Sequence, residues 1–192
     1  MATITVFESV TLDGVMQAPG RPDEDTRGGF TDGGWAAPYQ DEVMMQFAGE
    51  GMAESGAMLF GRRTYHDLLG FWTTTPDPNP FTEVLVQSPK YVVSHDADVA
   101  LAYPNSTLLA GEAADTVAAL KQEVDGAITV LGSGELARTL FAAGLVDHVV
   151  LQVYPLVLGS GTTLFGDAHV ELDLRRSVPT TTGVIIAQYA VR

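Results

Sequence analysis

Apolar positions along the chain fall into short runs that end in glycine or a small polar residue and then give way to helical spacing. The clearest case is residues 127–144, AITVLGSGELARTLFAAG. Ile128 to Leu131 is a short run rich in β-branched residues and reads as a central strand covered on both faces. Leu136, Leu140 and Ala143 then repeat at helical spacing up to Gly144, a residue suited to follow a helix. The same succession recurs upstream. Residues 3–10 alternate as a strand with Ile4 and Val6 on one face, and Asp41 to Ser55 reads as a helix with Met44, Phe47, Ala48 and Met52 on its buried stripe. Ala57 to Phe60 is a second buried strand, from which Gly61 opens a helix through Leu69. A short helix over Phe81–Gln87 follows a proline-rich turn at 76–80, and Lys90 to Ser94 is a third buried strand. Thr107–Ala110 is a weak strand and Glu112–Val124 a helix.

After Gly144 the texture changes. Val149–Leu158, Val170–Val178 and Val184–Val191 are strand-like with no long helix between them. They predict antiparallel strands added to an otherwise parallel sheet, hence an α/β fold with helices on both faces. No linker-like segment divides the 192 residues, so one domain spanning 1–192 is expected.

Composition narrows the function. A formal charge of −14, from 24 acidic and 10 basic residues, repels nucleic acid and anionic membranes, and neither is expected as a partner. No apolar run reaches membrane-spanning length, and the first residues lack a basic, then apolar, leader pattern, so a cytoplasmic protein is expected. There is no cysteine, and His66, His95, His148 and His169 show no metal-ligand spacing; no metal is expected.

The strand–glycine–helix junctions carry the candidate chemistry. Gly132, Ser133 and Gly134 lack bulk, so their amides can approach a ligand at the positive end of a helix dipole, a setting suited to a diphosphate. Gly132, Gly134 and Ala137 satisfy G-x-G-x-x-A, yet Gln152, about twenty residues on, is not the acidic residue of a Rossmann unit. At a second junction, Gly61-Arg62-Arg63-Thr64 sets two guanidiniums and a hydroxyl on a first helical turn, in a chain with few cations. A third strand ends at Ser94. In an open α/β sheet, ligands collect at the carboxyl ends of strands, so Gly61, Ser94 and Gly132 are predicted to share one crevice, with Lys90 a further cation to place. Elsewhere the residues leave two readings open. Asp13, in Thr11-Leu12-Asp13-Gly14, is either turn chemistry or a carboxylate at a cleft mouth. Trp35 either stacks on a planar ligand or is a buried aromatic at a helix entry. Gln17–Gly34 reads as a long mobile loop, and Pro155–Phe165 mainly as a turn.

TLDG at 11–14, GRRTY at 61–65, KYVVS at 90–94, GSGELARTL at 132–140 and LVDHVVLQVYPLVLGSGTTLF at 145–165 together resemble the dihydrofolate-reductase-like superfamily. The likeness is to its riboflavin-biosynthesis branch, the C-terminal reductase domain of the bifunctional deaminase–reductase, in a stand-alone form. It implies a three-layer fold on a sheet of about eight strands and an NADPH-dependent, commonly homodimeric reductase of a small pyrimidine or pterin-like substrate. It further implies that Gly61, Arg62 and Thr64, with Arg63 beside them, meet the cofactor phosphates. Ser94 would lie near the adenosine ribose and its 2′-phosphate, and Gly132, Ser133, Gly134, Glu135 and Leu136 would hold the pyrophosphate. Glu135 departs from the cation that some true dihydrofolate reductases carry there. Asp13 is the candidate to orient substrate or relay a proton, with Thr11 beside it, and Trp35 joins it as a substrate contact. Asp41 stands near the position of the pterin-protonating carboxylate of dihydrofolate reductases, although an acidic residue there is also good helix capping.

Overall fold

The computed structural model describes residues 1–75 and 80–192. The side chain of Met52 and the turn expected at 76–80 lie outside the described residues. The strands are β1 (Thr3–Thr11), β2 (Ala57–Gly61), β3 (Lys90–Ser94), β4 (Ser106–Ala110), β5 (Ala127–Leu131), β6 (His148–Tyr154), β7 (Leu172–Pro179) and β8 (Ile185–Val191). The helices are α1 (Glu42–Glu54), α2 (Arg62–Thr74), α3 (Pro80–Gln87), α4 (Ala113–Glu123) and α5 (Gly134–Ala142). Among the described residues the eight strands form one sheet in the order β4-β3-β2-β5-β1-β6-β8-β7. Pairing is parallel from β4 across to β6 and antiparallel for β6–β8 and β8–β7.

Period-two burial assigns the helices to faces. Ala57 and Leu59 of β2 join the core that α4 and α5 cover, with Val117, Leu120, Leu136 and Leu140. Met58 and Phe60 face the other way, onto Tyr65 and Leu69 of α2 and Leu85 of α3. The helices therefore lie on both sides of the sheet, as expected of a three-layer α/β fold. On β1 the alternation continues: Ile4, Val6 and Val10 enter the α4–α5 core, while Phe7 packs toward the cluster that holds Met44 and Phe47 of α1.

α2 runs on to Thr74 rather than stopping at Leu69, and two further segments differ from their sequence expectation. β6 ends at Tyr154 rather than Leu158. Pro155 has no N–H for a ladder, and the amides of Leu158 and Gly159 turn to the Asp13 carboxylate instead. The stretch 17–34, expected as a mobile loop, is pinned. Gln17 is buried; its amide nitrogen donates to the carbonyls of Asp25 and Arg27, and its Oε1 accepts from the N–H and hydroxyl of Thr162. Phe30 sinks into the cluster around Trp35 and Tyr154.

Candidate functional site

The carboxyl ends of β3, β2, β5 and β1 stand side by side on one edge of the sheet. Parallel neighbours lie about 4.8 Å apart, so segments separated by dozens of residues meet there. β2 hands over at Gly61 to α2, β5 through Gly132 and Ser133 to α5, and α4 starts from Glu112 nearby. None of the N-cap residues Gly61, Glu112 and Ser133 gives its helix a side-chain cap bond. Each helix thus keeps first-turn amides without a side-chain acceptor, together with the positive end of its dipole. All three starts border one cleft of about 1680 Å³. Typical pockets for one small ligand measure about 300–1,000 Å³, so the cleft has room for a dinucleotide and a second molecule.

The structure brings the predicted phosphate residues together. Gly61, Arg62, Arg63 and Thr64 line the cleft after β2, Ser94 at the end of β3, and Gly132, Ser133, Gly134, Glu135 and Leu136 after the neighbouring β5. The two glycine junctions are tied to each other: the Gly61 N–H donates to Ser133 Oγ at 2.9 Å. Gly132 (φ 59°) and Ser133 (φ 66°) are both left-handed, a conformation that disfavours serine by about 1–2 kcal/mol. The bond from Gly61 offsets part of that cost and fixes the hydroxyl. A Cβ on Gly132 would come 3.1 Å from Thr64 Cγ2, and one on Gly134 only 2.0 Å from Met16 Sδ, so bare backbone is what lets the turn sit this close. Arg63 lies 3.7 Å from Glu135. Arg62 has no ion pair among the described residues and is exposed.

Four predicted site residues lie elsewhere, and their bonds explain them. Asp13 accepts from the Thr11 hydroxyl and from the amides of Leu158 and Gly159, the last at 2.7 Å. The Thr11 hydroxyl and then the Gly159 amide hold this carboxyl below its usual range. Thr11 Oγ1 in turn accepts from the Val15 N–H. Neither residue lines the cleft with the phosphate residues; they staple the β1 turn to the 158–159 loop. Asp41 caps α1 by accepting from the Met44 N–H, and its other oxygen accepts from the N–H and hydroxyl of Thr181, each at 2.7 Å. It is a helix cap rather than a substrate contact. Trp35 is 7% exposed, donates its indole N–H to the Gln17 carbonyl and meets Tyr154 edge to face at 5.1 Å. That is core packing, not a stacking platform. Lys90 is also no phosphate cation: it is buried and donates to the carbonyls of Leu85, Val86 and Ser88, closing the end of α3.

One cleft residue escaped the sequence reading. Glu8 continues the inward face of Ile4, Val6 and Val10 on β1, is 5% exposed and lines the cleft, and its Oε1 has no hydrogen-bond partner among the described residues. Burial first, and the nearby Glu24 second, push its pKa to about 8, against the opposing pull of Arg138. An unfilled buried polar group costs about 1–3 kcal/mol. The signal was present in the sequence as a carboxylate on the apolar side of a period-two strand.

Farther along the same cleft the walls change from charged to mixed. Phe7, Met44, Phe47 and Val150 provide apolar surface, and Gln152 supplies an amide whose Oε1 accepts from Ser9 Oγ and from the Tyr154 hydroxyl.

The family model of the RibD C-terminal domain matches residues 2–186. The chain belongs to that family. In sequence the chain is 29% identical to the uncharacterized protein YyaP of Bacillus subtilis over 174 residues, 87% of this chain and 82% of YyaP. In structure it is similar to a protein of Shewanella sp. PV-4 assigned to riboflavin biosynthesis, with TM-score 0.74, 21% identity and 99% of both chains covered. It also shares its fold with dihydrofolate reductase of Enterococcus faecalis, whose structure holds NADP(H); there the TM-score is 0.64, the identity 14%, and 99% and 96% of the two chains are covered.

Proposed function

We propose that the chain acts as a single-domain, NADPH-dependent reductase of the riboflavin-pathway type. On this reading it takes 5-amino-6-(5-phosphoribosylamino)uracil or, through a drifted acceptor site, another small pyrimidine- or pterin-like molecule. The observation that carries the reading is the convergence of three helix starts without side-chain caps, two arginines and two tied glycine junctions on one cleft. In a chain of charge −14 such a concentration of donors selects a dianionic or polyanionic ligand. Membership of a reductase family and a shared fold with an NADP(H)-holding enzyme support the choice of a nicotinamide dinucleotide.

The bound nicotinamide supplies the hydride, and the chain supplies position. The amides that open α5 and the Gly132–Ser133 turn would hold the pyrophosphate, Arg62 and Thr64 would meet phosphate oxygens, and Ser94 would stand near the adenosine end; all of these residues line the cleft. The wall of Phe7, Met44, Phe47 and Val150 keeps a flat acceptor against the ring and water away from it, and the Gln152 amide gives that acceptor a polar partner. A homodimer, expected from the family, belongs to the same proposal and is checked by native mass.

The test is binding and turnover together. NADPH is expected to quench tryptophan fluorescence, because Trp72 lines the cleft, and to be oxidised on addition of the phosphoribosylaminouracil or a pterin substrate. Arg62→Ala should weaken NADPH roughly 10- to 100-fold and NADH far less, the loss expected for one or two charge-assisted bonds to the 2′-phosphate. Equal losses for the two cofactors would remove Arg62 from that phosphate. Oxidation by dihydrofolate alone would move the activity to dihydrofolate reduction, and quenching with no oxidation by either acceptor would leave a nucleotide-binding module.

A further inference from the structure

The two faces of the central strands are finished differently. On the α4–α5 face, Ile4, Val6, Ile128, Val130, Val149 and Leu151 are buried and apolar. On the other face, Thr5, Phe7 and Ser9 of β1 and Thr129 and Leu131 of β5 are only half-buried. α1 rides over β6 and β8, where Met44 and Phe47 cluster with Val150 and Ile186. α2 and α3 cover β2 and β3 through Met58, Phe60 and Val92. A trough is left between them, floored by β5 and β1 and continuous with the cleft. Register arranges its floor in rows. Leu131, Phe7 and Val150 lie side by side as an apolar row; two residues toward the amino ends, Thr129, Thr5 and His148 form a polar one. Gln188 stands beside it on β8, opposite Val150. A parallel sheet covered on both faces is expected to be apolar on both. None of these four polar side chains has a hydrogen-bond partner among the described residues.

Charge changes along the trough as well. The carboxylates that line the cleft stand on the carboxyl half of β1, in the segment after it, on α2, on α5 and in the turn after β3; none lies at the polar row. Among the described residues the lining cation at that end is Arg175, the extra residue of the β7 bulge beside Gln188. Its neighbour Arg176 is engaged by Glu50 at 3.5 Å and by the Phe47 ring at 5.3 Å. The Arg175 charge bears on Asp173, which Arg192 already holds with two hydrogen bonds.

We propose that this trough receives a hydroxylated arm of the acceptor that ends in an acidic group, with the acid on Arg175, an assignment that deepens the reductase reading above and rests on it. The polar row suits alcohols: the Thr5 and Thr129 hydroxyls and the Gln188 amide each donate and accept, so each can serve a hydroxyl in either sense. Neighbouring strands about 4.8 Å apart spread Thr129, Thr5 and His148 over about 10 Å, room for a five-carbon chain. In a chain of charge −14, a stretch free of carboxylates and ending at a guanidinium favours an anion. The acceptor's flat head stays on the apolar row, and the arm runs from it toward the amino ends of the strands. The anionic groups of cofactor and acceptor then lie at opposite ends of the cleft, where their repulsion is least.

The experiment uses ribose 5-phosphate, D-ribonate and ribose as probes of the arm, titrated into the full chain with and without NADPH and followed by calorimetry and amide chemical shifts. One of the two anions is expected to bind about tenfold tighter than ribose or better, and the tighter one names the acid. It should shift the amides of Thr5, Thr129 and His148, and bind alike with NADPH present. Arg175→Ala should weaken it about tenfold, and Thr129→Val, which keeps the shape and removes the hydroxyl, about threefold. The assignment is overturned if neither anion binds tighter than ribose, or if Arg175→Ala binds like the parent. It is overturned equally if Arg62→Ala takes the loss instead, which would put the anion among the cofactor's phosphate residues. Failure of the reductase reading looks different. A chain that holds ribose 5-phosphate through Arg175 but binds no NADPH keeps the arm site and loses the reductase; one that oxidises NADPH with a KM for the phosphoribosylaminouracil indifferent to Arg175→Ala keeps the reductase and loses the arm site.

Discussion

The tripeptide Gly-Ser-Gly occurs twice, at 132–134 and at 159–161, and the two copies do opposite work. The first closes a central parallel strand and opens α5 into the cleft; its serine takes the left-handed conformation, and its hydroxyl is fixed by the Gly61 amide. The second joins β6 to the stretch before β7 and is knitted into the turn after β1. Asp13 accepts from the Gly159 amide, Thr162 bonds Gln17 and Met16, and Val15 bridges Thr163. The second copy is crowded, since a Cβ on Gly161 would meet Val15 Cγ1 at 2.7 Å and Phe30 Cε2 at 2.8 Å. The first lines the cleft at Gly132 and Ser133, with Met16 close against Gly134. Each also has its carboxylate on β1 or the turn after it: Glu8 beside the first copy, pushed up by burial, and Asp13 at the second, pulled down by the Thr11 hydroxyl and the Gly159 amide. A short glycine motif therefore says that backbone will come close to something. Whether that something is a ligand or the protein's own core depends on where the strand order delivers it.

The sharpest way to separate the two regions is pH. The folded chain keeps the Glu8 proton up to about pH 8, whereas the unfolded chain releases it near the ordinary value of 4.5. Between those values the folded state binds more protons, so stability is full below the window and declines as pH rises through it. The integrated loss reaches up to roughly 5 kcal/mol. Urea unfolding of the cofactor-free protein across that range should show this decline, and Glu8→Leu should flatten it; a parent profile that rises toward pH 8 would contradict the buried-acid description. Next in size are the glycines. Gly161→Ala forces a side chain at φ 114° into Val15 and Phe30 and should destabilise by about 3 kcal/mol without changing NADPH affinity in the folded protein. Gly132→Ala, at φ 59° with only Thr64 Cγ2 nearby, should cost less stability and more affinity. Denaturant melts paired with NADPH titrations decide the ranking, and the contrast between the turns breaks if the two variants behave alike. The smallest effect is expected at Asp13. Its contribution is present above the usual carboxylate range and is lost on acidification through its lowered pKa, so Asp13→Asn should lower the melting temperature slightly at neutral pH, lose that difference in acid, and leave NADPH binding intact.

Much of the cleft was legible in advance because its parts are local. Strand–glycine–helix junctions at 61 and 132 are patterns a few residues long, and the arginines at 62 and 63 stand out in a chain with few cations. The residues whose readings stayed open are those whose role depends on distant partners. Asp13 meets Gly159, Asp41 meets Thr181, and Trp35 meets Gln17 and Tyr154; none of these bonds has a trace in the local pattern. Lys90 looked like a cation available for a phosphate, and the approach of three carbonyls at the end of α3 took it out of reach.

By itself the sequence determined the alternation of strands and helices, the antiparallel close of the sheet, and which turns leave backbone amides free, since these follow from side-chain periodicity and from glycine's conformational freedom. The tertiary structure alone decided which distant partners Asp13, Asp41, Trp35 and Lys90 meet, and that β1 parts from β5 at Glu8. Strand order and burial are properties of the assembled chain: a carboxylate is an ordinary surface acid or a held proton according to the neighbours that exclude water from it.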